Sequence, residues 1–270
     1  MDAITIFAPV ERVQSRTDAR SDGLLLVCDH ASNAVPPWVT PLGLPQEDMT
    51  RHIAWDVGAR GVTLELARLM GAPAVLSTWS RLVIDPNRGE QDPTLVMKLY
   101  DGSLIEGNRH VGASETAERV ERLHRPYHAA IDAVLDDAIA KGRPPSLISI
   151  HSFTPQLRGR PIRPWHVGLL WDQDDRLVRP LLNRLSTEPG LVVGDNEPYS
   201  GQLVGDCMWM HGTSRNVPHV LIEIRNDLIE TAEAQTAWAA RLAPHIEGAL
   251  SDMAMGTTEH TTPPKQAARN

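Results

Sequence analysis

A chain of 270 residues with a formal charge of -8 at pH 7 is long enough to bury a full core and lies at the upper end of what folds as one domain. Its acidic and basic residues are intermixed and it has no basic block, which excludes the electrostatic footprint of a nucleic-acid or anionic-membrane binder. Two cysteines exclude a disulfide framework, and no apolar run is long enough to span a bilayer. The first residues lack the basic start and apolar stretch of a signal peptide, so a cytoplasmic location is expected.

Taken in chain order, apolar runs of strand length alternate with longer stretches of helical period. The predicted strands are GLLLVCDH (23–30), PAVLSTW (73–79), RLVID (81–85), SLISIHS (146–152), HVGLLW (166–171), LVVGD (191–195) and PHVLIEI (218–224). Predicted helices begin near Val57, Ser114, Asp174 and Glu230, and Pro126 should kink or interrupt the second of them. This is the pattern of an α/β protein with a mostly parallel sheet flanked by helices. Residues 1–255 read as one domain, and residues 256–270, rich in Thr and Pro, as a disordered tail.

Ligands in open α/β sheets bind at the carboxyl ends of the strands, and four of the predicted strands end in reactive side chains. The first runs into Asp29 and His30, RLVID into Asn87 and Arg88, SLISI into His151, and HVLIE carries Glu223 shortly before Arg225. Singly, each histidine reads as a hydrogen-bonded loop residue. Jointly, strand ends that lie side by side bring two histidines, a glutamate and several arginines to one pocket. Two histidines and one acidic ligand make a three-ligand zinc site with a position left for water, whose pKa zinc lowers towards about 7. The third ligand is Asp56 or Asn33. Asp56 is the better ligand chemically but also a good helix N-cap, and an amide oxygen such as that of Asn33 is a poor zinc ligand. Glu223 suits a general base. The tryptophans, Trp55, Trp79, Trp165 and Trp171, read as core or pocket wall, and no Gly-x-Ser-x-Gly elbow or phosphate loop is present.

The ordered set DHASNAVP (29–36), HIAWDVGARG (52–61), SRLVIDPNRG (80–89), ISIHSFTP (148–155), NEPYSG (196–201) and HGTSRNVPHVLIEIRNDLI (211–229) resembles the N-formylglutamate amidohydrolase family, over residues 24–229. The resemblance implies a three-layer αβα fold with a mixed, mostly parallel sheet, related to zinc carboxypeptidases and aspartoacylases. It implies zinc-dependent removal of an N-acyl group from an acidic amino acid such as N-formyl-L-glutamate. Carried over to this chain, it puts His30 and His151 on one zinc ion per chain, favours Asp56 as the third ligand, and makes Glu223 the catalytic glutamate. Asn87 and Arg88, with Arg81 in support, become the holders of a substrate carboxylate, because an arginine fork meets a carboxylate in bidentate fashion. Asp85 is expected to orient one of these arginines. Arg225 and His211 join them as candidate substrate contacts. The chain departs from the family members of histidine degradation at DHASN and at Glu-Ile-Arg, where those have Glu-Leu. Two other readings stand beside the main one: a hydrolase of other N-acyl amino acids, and a non-catalytic protein that captures a carboxylate metabolite. The expected partner is a small N-acyl amino acid, with no nucleic acid or membrane, and the oligomeric state is not legible.

Overall fold

The computed structural model describes residues 8–14, 23–143 and 145–259. Its centre is a seven-stranded sheet built from β1 (Val10–Val13), β2 (Leu24–Cys28), β3 (Ala74–Ser77), β6 (Ser146–Phe153), β7 (Val167–Leu170), β8 (Val193–Asp195) and β9 (His219–Arg225), in the order β1-β3-β2-β6-β9-β7-β8. The β3-β2-β6-β9 centre is parallel, β1 runs antiparallel to β3, β7 runs antiparallel to β9, and β8 pairs parallel with β7. The sheet is thus mixed and mostly parallel. A two-stranded hairpin, β4 (Leu99–Tyr100) with β5 (Ser103–Leu104), stands apart from it.

The central strands are apolar on both faces because helices cover both. Leu24, Leu26 and Cys28 of β2, Ile148 and Ile150 of β6, and Val220, Ile222 and Ile224 of β9 pack on one side with α2 (Ala59–Met70), α5 (Val178–Ser186) and α7 (Ala232–Glu259). Leu25 and Val27, Leu147, and Leu221 point the other way, into a core shared with α4 (Arg125–Ala140), α6 (Cys207–His211) and the segment 79–97. Two shorter helices, α1 (Gln46–Met49) and α3 (Ala113–Arg119), complete the set.

One expectation needs correction. The run RLVID is not a strand. It is a buried succession of turns whose carbonyls are taken by side chains instead of a neighbouring strand: Leu82 O by Asn108 Nδ2 (2.7 Å), Val83 O by Arg119 Nη1 (2.7 Å) and Ile84 O by Trp79 Nε1 (2.8 Å). The helix predicted from Ser114 is interrupted next to Pro126, as expected. A π turn over Val120–His124 joins α3 to α4, and Pro126 falls in the first turn of α4, where its missing N–H costs least. At the other end of the chain α7 runs to Glu259, into the stretch expected to be disordered, and residues 260–270 lie outside the described residues.

Candidate active site

Strand register brings the distant motifs together. In the β6–β9 ladder His151 is paired with Glu223, so their side chains stand next to each other on the same face as Leu147 and Leu221. His30 lies just beyond the end of β2, and its carbonyl accepts from the Asp56 amide at 3.0 Å, which ties the loop after β2 to the loop before α2. Asp56 does not cap that helix. The N-cap is Gly58, at φ 82, where a Cβ would lie 2.2 Å from the Ile229 carbonyl oxygen. The Asp56 carboxylate is therefore free to turn inwards. Its Oδ1 is 3.3 Å from His30 Nδ1 and its Oδ2 is 2.8 Å from His151 Nδ1, with the Ser152 amide donating to Oδ2 at 3.1 Å.

The outer nitrogens of both histidines meet carboxylates. His30 Nε2 is 2.7 Å from Asp85 Oδ1, and His151 Nε2 is 2.7 Å from Asp29 Oδ2. Asp29 is fixed in turn by Tyr127 Oη and Ser149 Oγ, each donating at 2.8 Å. Burial raises the pKa of Asp29, but the His151 hydrogen bond and charge outweigh it and hold the carboxyl well below the usual range. Burial works against charge on His151 too, yet its bonds to Asp29 and Asp56 hold it protonated far above its ordinary value. Glu223 has no such partner. Burial, reinforced by Asp56 and opposed by His151, pushes it up to about 7, and its Oε2 is buried without a hydrogen bond.

The donors suit a zinc-type cation. The ligand atoms of His30, Asp56 and His151 lie within 4.8 Å of one another, and His30 Nδ1 is buried with no hydrogen bond. Each histidine has its other nitrogen held by a carboxylate, the arrangement that orients imidazole towards a metal and raises its basicity. The acceptors that hold a proton on His151 favour a cation in its place. Asn33 stands outside this group, its side-chain amide donating to Met49 O at 2.8 Å.

An open cavity passes in front of these groups, lined by His30, Asp56, Arg81, Asn87, Arg88, His151 and Glu223 together with Tyr100, Phe153, Trp171, Tyr199 and Trp209. Arg81 is committed to the protein's own carboxylates, with Nη2 2.8 Å from Asp85 Oδ2 and Nη1 3.5 Å from Asp56 Oδ1. Asp85 thus orients an arginine, as expected, and a histidine as well. Arg88 is half-buried and among the described residues enters no ion pair, its Nε donating to Thr94 Oγ1 at 3.1 Å and its Nη1 to Asn87 O at 2.7 Å. The remaining two sequence candidates stand away from the cavity. His211 is buried against His128 and Asp132, and Arg225, at the end of β9, turns to Asp227 at 2.8 Å. Tyr127 was not legible as part of the site, nor was the pairing of Asp29 with His151, because both depend on contacts between residues about a hundred positions apart.

The model of the N-formylglutamate amidohydrolase family matches residues 22–230. The chain belongs to that family. Its members' activity makes this N-formylglutamate amidohydrolase-type protein a hydrolase of amide bonds, which sets aside the non-catalytic reading. A gene product of Agrobacterium tumefaciens is 33% identical, with a TM-score of 0.85 over 91% of this chain and 96% of that one. The N-formylglutamate amidohydrolase from Ralstonia eutropha shares the fold at 21% identity, with a TM-score of 0.72 over 93% of this chain and all of the other. Among curated proteins no sequence match was found. Among the described residues no helix is long and apolar enough to cross a membrane.

Proposed function

We propose that the protein is a zinc-dependent amidohydrolase that cleaves the amide of an N-formyl or related N-acyl acidic amino acid such as N-formyl-L-glutamate, giving the carboxylate of the acyl group, formate in the N-formyl case, and the free amino acid. The observation that carries the reading is the convergence, in one cavity, of the His30–Asp56–His151 set, the Glu223 carboxylate with its unpaired Oε2, and the Arg88 guanidinium, which has no ion-pair partner among the described residues. His30, Asp56 and His151 would hold one zinc ion, which when bound would supply Lewis acidity and a water of lowered pKa. Arg88 takes the substrate carboxylate through its free guanidinium edge. Asn87 fixes the turn beneath it, its Oδ1 accepting from the Cys207 amide at 3.0 Å. Glu223 accepts the proton of the attacking water and delivers it to the leaving nitrogen, a task for which a carboxyl pKa of about 7 is suited. Asp29 and Asp85 hold the two imidazoles in place.

Hydrolysis of other N-acyl amino acids is supported by one feature. Of the two arginines lining the cavity, Arg81 already has two carboxylate partners, and Tyr100, Phe153, Trp171, Tyr199 and Trp209 add aromatic surface to the lining. Mass spectrometry of products from a panel of N-formyl and N-acetyl amino acids decides between the two substrate classes. Preference for N-formylglutamate is the expected outcome, and faster release from monocarboxylate substrates would move the assignment to the broader class.

A further inference from the structure

On the far side of the Asn87–Arg88 turn, α4 and α6 bury a second set of ligating side chains that the reaction above does not use. Cys207 and His211 stand four residues apart on one face of α6, and His128 meets them from α4. Their donor atoms lie within 4.8 Å of one another, at relative exposures of 0% for Cys207, 2% for His211 and 8% for His128. None of the three lines the catalytic cavity. His128 Nδ1 and His211 Nε2 are 2.8 Å apart, the same separation as His151 Nδ1 and Asp56 Oδ2 in the first cluster. The outer nitrogen of His211 is held by a carboxylate, Asp132 Oδ1 at 3.0 Å, which Arg215 pairs at 2.6 Å. This repeats the carboxylate–histidine pairing of His30 and His151.

A hydrogen-bonded histidine chain by itself leaves the cluster incomplete. Nδ1 of the adjacent His124 is buried with no partner, and its ring centroid is 4.3 Å from that of His128. We propose that His128, Cys207 and His211 bind a second divalent cation of the zinc class, structural in role, that clamps α4 to α6. Two imidazoles and one thiolate select zinc over magnesium or calcium, which take oxygen ligands. Binding expels the Cys207 proton to solvent and leaves the imidazoles neutral. Burial already keeps His128 neutral, and burial with nearby Asp29 keeps the Cys207 thiol protonated until a cation arrives. His124 Nδ1 is a donor at hand for a fourth position. The clamp also braces the substrate turn, since His124 Nε2 bonds Arg88 O at 2.8 Å and the Cys207 amide bonds Asn87 Oδ1.

The test is zinc content by elemental analysis of the full chain, stripped under reducing conditions, reloaded with zinc and desalted, together with the absorption spectrum of the cobalt-loaded protein. Two equivalents per chain are expected in the wild type. Cys207→Ser and His128→Gln should each lose one, and His151→Ala should lose the other. Cobalt loading should give a thiolate-to-cobalt charge-transfer band in the wild type and in His151→Ala, absent in Cys207→Ser. A single wild-type equivalent without that band, or two equivalents retained in Cys207→Ser, overturns the second site. The catalytic assignment fails separately, if His151→Ala keeps both equivalents. Should Cys207→Ser not fold, the wild-type stoichiometry and cobalt spectrum decide alone.

Discussion

Glu223 is a buried carboxyl with one oxygen unpaired, next to His151, both of whose ring nitrogens are already engaged. A group that only packs or pairs would have found a partner there. As a general base it contributes to the barrier and not to metal affinity. Glu223→Gln, nearly the same shape, should keep its zinc and its KM while kcat falls by about 10²–10⁴. Near-normal kcat with a lower melting temperature would show a structural role instead. Arg225→Ala should not reproduce the defect, because Arg225 is directed at Asp227. At Arg88 the expected loss is in binding. A charged hydrogen bond is worth roughly 1.5–3 kcal/mol, so Arg88→Ala should lower kcat/KM by about tenfold to a hundredfold, mostly through KM. On a substrate amidated at that carboxylate the wild-type advantage should vanish, and an equal loss on the amide would refute the contact.

The segment 80–88 carries Arg81, Asp85, Asn87 and Arg88, and it holds its shape without belonging to the sheet. Asn108 Nδ2 donates to both Leu82 O and Met97 O at 2.7 Å, and its Oδ1 accepts from the buried Arg119 at 2.9 Å. Asn108→Ala strands these groups at about 1–3 kcal/mol each. It should lower the urea midpoint clearly and raise KM, since Arg88 rides on the same segment. An unchanged midpoint would mean that the segment is fixed by its apolar residues alone. The same segment marks where sequence reading stops. β2, β6 and β9 were legible because strands covered on both faces are continuous apolar runs, and LVID looks the same by composition. What separates it is that Asn108, Arg119 and Trp79 supply its hydrogen bonds, two of them from a different part of the chain. β1 (VERV) was missed, being four residues long with no buried position. Histidines at the ends of β2 and on β6 stood out by position. The sharing of Arg81 between Asp85 and Asp56 did not, because spacing shows where a charge lies and not what it is paired with.

For the whole molecule, the metal-free site is a protonated His151 set between the carboxylates of Asp29 and Asp56. Both carboxyls are held below their ordinary values, burial being outweighed by the histidines, so their stabilisation is present above about pH 3.9 and is lost as pH falls from there. His151 is raised, so its contribution is complete below about pH 6.5 and is lost as pH rises towards its higher folded value. The difference in urea midpoint between metal-stripped wild type and His151→Ala should therefore be greatest between about pH 4 and 6.5, and zinc bound to the wild type should remove its alkaline decline by replacing the His151 proton. A wild-type advantage over His151→Ala that grows from pH 6 to 9 in the stripped proteins would contradict this. The most direct test of the central claim, that His30, Asp56 and His151 hold the metal on which amide hydrolysis depends, is formate release from N-formyl-L-glutamate by chelator-treated protein as zinc is added back. The account predicts no turnover without zinc, saturable recovery in the wild type, and no recovery in His151→Ala at any zinc concentration. Turnover by the metal-free protein, or recovery in His151→Ala, would contradict it.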